Sequence, residues 1–145
     1  MNILLPVDGS AGALVAVRHV LGLARAGLPV RALLVNVQEP ASLYEMVTAH
    51  DAGVIAEVSA RAAAHSLAPA EDMLRLGGIE FDTRIAHGSP GQVLVELAAE
   101  LPCDAVVMGA RGQDEFETGS LGSVAEFVVK HTPVAVTIVK RTGPA

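Results

Sequence analysis

Short apolar runs recur along this chain, separated by stretches with helical periodicity. Asn2 to Val7 reads as a continuous apolar run, which suits a strand covered on both faces. Val30 to Val37, Asp104 to Met108 and Val134 to Val139 repeat that type. Ile79 to Ala86 differs: Ile79, Phe81, Thr83 and Ile85 alternate with Glu80, Asp82 and Arg84. A period of two predicts a strand with one face exposed, at a sheet edge.

Between the runs, helix signals fall in order. Ser10 is placed to cap a helix to about Ala26, with Leu14, Val17, Leu21 and Ala24 on one face. Gly27-Leu28-Pro29 ends it. Gln38 to about Asp51 reads as a long connection. A second helix is expected from Gly53 to Leu76, kinked or divided at Pro69 and stopped by Gly77-Gly78. Ser89-Pro90-Gly91-Gln92 opens a third, combining a serine cap, proline at the first position and glutamine at the third. It runs to Glu100 and stops at Pro102. Val124 to His131 is the last helix, and Pro133 introduces the last strand. Strands alternating with helices imply an α/β fold with right-handed crossovers. The economical arrangement is one doubly wound domain over residues 1–145, a five-stranded parallel sheet with helices on both faces.

Composition removes several function classes. A net charge of −6 without a basic stripe argues against nucleic acid. Stacking aromatics are also scarce, being Phe81, Phe116, Phe127 and Tyr44 alone. Cys103 is the only cysteine, which rules out an intrachain disulfide and a cysteine cluster for zinc, and a buried, unreactive thiol is expected there. His19, His50, His65 and His131 lack metal-ligand spacing, and His87 reads as a surface or packing residue at the end of the third strand. No apolar run is long enough for a membrane span, and the chain begins directly with a strand, so a cytoplasmic location is the expectation.

One motif carries chemistry. Gly109-Ala-Arg-Gly112 follows the fourth strand, and nine residues later Gly122-Ser123 enters the last helix. Glycines let a backbone approach phosphates, and a helix N-terminus offers N–H donors and partial positive charge. In a doubly wound sheet, ligands lie beyond the carboxyl ends of the strands, where the winding reverses. Asp8, Val37 and Gly109 all fall at such ends. Asp8 is a ligand contact or the cap of a turn. Arg111 pairs with a phosphate or lies over the loop. Ser120 or Ser123 caps the last helix.

The chain resembles the universal stress protein family over nearly its whole length. The resemblance is carried by Ile3-Leu4-Leu5-Pro6-Val7-Asp8-Gly9-Ser10, Leu33-Leu34-Val35-Asn36-Val37 and His87-Gly88-Ser89-Pro90. Val106-Val107-Met108-Gly109-Ala110-Arg111-Gly112 with Gly122-Ser123-Val124 is its strongest part, and Val134-Ala135-Val136-Thr137-Ile138-Val139 closes it. It implies the strand order 3-2-1-4-5, and the full G-x2-G-x9-G-S pattern is similar to the ATP-binding branch. By that likeness Pro6, Val7 and Asp8 lie beside adenosine, Val37 borders adenine, and Met108 and Gly109 border the ribose. Gly112, Gly122, Ser123 and Val124 hold the phosphates, and magnesium is held mainly by those phosphates. A homodimer is implied too, often through antiparallel pairing of the last strands, 134–139.

One departure bears on affinity. Residues 113–118 carry Asp114, Glu115 and Glu117, where ATP-binding relatives usually have aliphatic or basic residues. Three carboxylates near a polyphosphate cost on the order of a few kcal/mol before screening. The leading expectation is a stress-response binding module for ATP, not an enzyme, with at most slow hydrolysis. No poised nucleophile–base pair and no GxxxxGK[ST] loop is present. The alternative is a non-nucleotide interaction protein of the same fold, its site closed by the acidic loop. A phospho-accepting receiver domain is disfavoured, because the first strand ends in a lone Asp8 and the third in Ala86-His87-Gly88. A redox dinucleotide enzyme lacks its GxGxxG after the first strand.

Overall fold

The computed structural model describes residues 1–39, 52–111 and 121–141. Along them run β1 (Asn2–Pro6), α1 (Ala11–Arg25), β2 (Arg31–Gln38), α2 (Ala52–Leu76) and β3 (Glu80–His87). Then come α3 (Pro90–Glu100), β4 (Ala105–Gly109), α4 (Ser123–His131) and β5 (Ala135–Val139). All strand pairs are parallel, and the sheet order is β3-β2-β1-β4-β5.

The apolar runs explain this architecture. Leu4 and Leu5 are neighbours whose side chains point to opposite faces of the sheet, yet both are fully buried. Ile3, Leu5, Val7 and Leu34 pack with Val17 and Val20 of α1 and Leu67 and Leu74 of α2. On the other face Leu4, Val35, Val106 and Met108 pack with Leu94 and Leu97 of α3 and Val128 of α4. Each fully buried aliphatic side chain of this kind contributes about 1.5–3 kcal/mol. The sheet is therefore the middle of three layers.

The alternating run forms β3 at a sheet edge, as its pattern predicts. Its exposure goes further than expected: Ile85, on the nominally apolar face, is 43% exposed. Arg31 of β2 bridges to the β3 carboxylates of Glu80 and Asp82 at 3.2 and 3.0 Å.

Two helix ends follow their glycines. After α2, the Ile79 N–H donates to the Leu74 carbonyl and the Gly78 N–H to that of Arg75, while Gly78 sits at φ +73°. The left-handed residue lets the chain reverse and satisfies carbonyls left over at the helix end. Gly27, at φ +104°, ends α1 by the same bonds from Leu28 to Leu23 and from Gly27 to Ala24.

Two helix expectations need correction. The division expected at Pro69 does not occur, for α2 continues through it. Ala63, Leu67, Ala70 and Leu74 are all buried on one face, so packing holds the helix together on both sides of the proline. Ser89 occupies the cap position of α3, but its side chain makes no capping bond.

Candidate functional site

The carboxyl ends of β1, β2 and β4 converge where the winding reverses, and local chemistry shapes each end. β1 stops at Pro6, and the next residue keeps to the sheet through a 2.8 Å bond from the Val7 N–H to the Val35 carbonyl. The chain then turns sharply. Asp8 Oδ1 accepts from the Ser10 N–H at 2.9 Å, Gly9 sits at φ +87°, and Ser10 Oγ caps α1 by accepting from the Ala13 N–H at 3.2 Å. Asp8 thus makes the turn and also lines the cavity described below.

The end of β4 is pressed onto α1. A Cβ on Gly109 would lie 2.7 Å from the Gly12 carbonyl oxygen, and one on Gly12 would lie 2.7 Å from that of Arg111. The obstacles are backbone atoms, so neither position has room for a side chain. Two further bonds hold this corner: the Ala110 N–H donates to Val139 at 3.2 Å, and the Gly122 N–H donates to Ala110 at 2.7 Å. The second brings the start of α4 beside the end of β4 across the chain between them, 111–121. Gly122 is the cap residue of α4, so Ser123 is the first helical residue rather than the cap, and Ser120 lies outside the described residues. A glycine has no side chain to spend on the helix amides, which leaves the first-turn N–H groups of α4 uncapped by that residue.

These ends enclose a cavity of about 460 Å³, within the usual range of small-molecule sites. Pro6, Val7 and Asp8 from β1 and its turn lie on its wall with Val37 from β2. Met108, Gly109 and Arg111 come from the β4 side, and Ser123 and Val124 from the start of α4. Gly122 anchors α4 but is not part of the wall. Gly112 lies outside the described residues, as do Asp114, Glu115 and Glu117. The described charges on the wall are Asp8, Glu39 and Arg111.

Several wall residues escape sequence reasoning. Ser66 reaches the cavity from α2, opposite Gly9, and nothing in its helical surroundings marks it. Pro90 and Leu94 come from α3. Gln38, placed in a connection by the sequence, is the last residue of β2 and also lines the wall. Asn36 carried a readable signal, being a polar residue within an apolar strand. It is 2% exposed, and its Nδ2 donates to the Val7 carbonyl at 2.8 Å.

The remaining candidates stand apart from the cavity wall. His87 Nε2 lies 3.4 Å from the buried Ser59 Oγ of α2. His131 stacks on Phe127 with ring centroids 4.2 Å apart, and its Nδ1 lies 2.9 Å from the Phe127 carbonyl. Among the described residues no group of three or more His, Cys, Asp or Glu side chains is arranged to hold a metal ion. No described helix is long and apolar enough to cross a membrane.

Known proteins share this architecture. A universal stress protein of Methanocaldococcus jannaschii is 27% identical over 140 residues, covering 97% of this chain and 82% of that protein. A universal stress protein solved in complex with cAMP superposes with a TM-score of 0.66 at 25% identity, covering 97% of this chain and 96% of the other. The universal stress protein of Archaeoglobus fulgidus, solved with dAMP, gives a TM-score of 0.67 at 22% identity over 97% of this chain and 98% of its own. The family model described as the universal stress protein family matches residues 1–140, and the chain belongs to that family.

Proposed function

We propose that the cavity binds an adenine nucleotide, ATP with magnesium, and that the protein acts as a dimeric regulatory module in stress response rather than as an enzyme. The observation that carries this reading is the meeting of the start of α4, whose cap residue is the glycine Gly122, with a glycine corner that has no room for a Cβ. Amide donors and the positive end of the helix dipole favour an anion there. Ser123 and Val124, with Gly122 and Gly112, take the phosphates, and Arg111 pairs with one of them. The apolar wall at Val37, Pro6 and Val7 suits a purine, and Met108 and Gly109 flank the ribose. Asp8 accepts from a sugar hydroxyl. Magnesium would be held mainly through the phosphates. Relatives solved with cAMP and dAMP support an adenine ligand.

Titration calorimetry of ATP with magnesium into nucleotide-free protein tests the reading. Micromolar binding that is lost in Gly122→Val is expected, since valine's bulk would stand at the cap of α4. Silence up to millimolar ATP would overturn it and favour an interaction module of the same fold, with the acidic loop 113–118 as its surface.

A further inference from the structure

The two glycines of α1 share a helix but not a setting. Neither Gly12 nor Gly22 has the positive φ that calls for glycine, and alanine is the better helix former at such positions. Gly22 faces open space, with nothing within 4 Å of an added Cβ. Gly12 is instead covered by the chain that leaves β4. A Cβ there would meet the Arg111 carbonyl oxygen at 2.7 Å, and a Cβ on Gly109 would meet the Gly12 carbonyl oxygen at 2.7 Å. Residues 109–111 therefore sit astride the first turn of α1, and the lack of a side chain at residue 12 permits that approach. Ala110, between them, donates its N–H to Val139 and accepts from the Gly122 N–H. Arg111 lies on the cavity wall, whereas Gly12 does not.

We infer that Gly12 is a positioning residue for the phosphate end of the cavity, seating the backbone of residues 109–111 on α1 without itself touching the ligand. The inference rests on the adenine-nucleotide reading above and adds to it a residue outside the G-x2-G-x9-G-S pattern. A methyl group at residue 12 would meet main chain, so no flexible side chain can swing aside to admit it. Ala13, Ala16 and Val17 are buried just beyond, which holds α1 in place. Relief must then come from the Arg111 carbonyl, and Arg111 moves on the wall with it. Pro6, Val7 and Val37, on the base side, come from the ends of β1 and β2, away from this contact.

The experiment compares ATP with magnesium against adenosine, titrated to millimolar, by calorimetry on the full chain freed of nucleotide. One hydrogen bond to a charged group corresponds to about tenfold or more in affinity, so Gly12→Ala is expected to weaken ATP by at least about tenfold. Adenosine, which has no phosphate, should bind the variant unchanged. Gly22→Ala, with open space around it, should leave both ligands unchanged. General damage to the fold would weaken ATP and adenosine alike, so their ratio separates positioning from a structural role.

ATP binding that survives Gly12→Ala, equal losses of ATP and adenosine in that variant, or the same ATP loss in Gly22→Ala would each overturn the inference. Any of these results alongside ATP binding in the unaltered protein sinks this inference alone, whereas no binding of either ligand sinks the nucleotide reading with it. Should Gly12→Ala not fold, hydrogen exchange in the unaltered protein decides. ATP should slow exchange across the first turn of α1 more than adenosine does, because the seated loop passes its order to the helix beneath it. Equal protection by the two ligands would count against Gly12.

Discussion

Cys103 shows how position rather than residue type sets reactivity. The thiol is half-buried rather than buried as its surroundings in sequence suggest, and its Sγ donates to the Ala105 carbonyl at 3.2 Å. Burial pushes its pKa up, backbone hydrogen bonding to the sulfur at Leu4 and Ala105 pulls the other way, and the neighbouring Asp104 charge adds to the rise. The neutral thiol is therefore favoured in the folded state. That preference stabilises the fold below the unfolded thiol's pKa and is lost as pH rises through the folded value. Since the thiolate is the nucleophile, iodoacetamide should alkylate native Cys103 more slowly than the urea-unfolded chain, with a rate midpoint at higher pH. An equal or lower midpoint in the native protein would show that burial does not govern this thiol. Residues differ in how far sequence reveals them for the same kind of reason. Asn36 is conspicuous because a buried strand seldom tolerates an amide without a partner, whereas Ser66 looks like any helical serine until the fold sets it against Gly9.

At the scale of elements, α2 is where local propensity and tertiary packing disagree. Pro69 is exposed in the middle of a 25-residue helix whose buried face continues past it. Proline in a helix interior costs roughly 3 kcal/mol relative to alanine, partly offset by about 1 kcal/mol because it restricts the unfolded chain. Pro69→Ala should therefore raise unfolding stability by about 2 kcal/mol in urea, with an unchanged m-value. A loss of stability instead would mean that the proline ring serves the native packing. Strands β1, β2 and β4 were legible because both of their faces are covered, which demands continuous apolar runs. β3 was legible as an edge from its alternation. The continuity of α2 was not, since it depends on contacts with a sheet that local sequence cannot see. The candidate cavity follows the same division. The ends of β1 and β4 announce themselves through glycines and an aspartate, while the contributions of α2 and α3 depend on packing alone.

At the scale of the whole molecule, the two sheet edges differ in what they offer a partner. β3 carries Glu80, Asp82 and Arg84, charges that discourage further strand pairing. β5 reads Ala-Val-Thr-Ile-Val, with Val136, Ile138 and Val139 only half-buried. An apolar edge of that kind invites another strand, and a second copy of the chain is the proposed occupant. The hydrogen-bond parity identifies the groups that would pair. The Val139 carbonyl accepts from the Ala110 N–H and so faces β4. Main-chain groups two residues apart share a side in a parallel ladder, which turns those of Val136 and Ile138 outward. Val136→Pro removes an outward N–H while sparing the inward bonds to β4. Light scattering after size-exclusion chromatography should then report a monomer for Val136→Pro and a dimer for the unaltered protein, with the same helical circular dichroism in both. A variant that stays dimeric would place the interface away from β5. A variant that loses its circular dichroism would show that this residue is bonded within the sheet, against the parity derived from Val139.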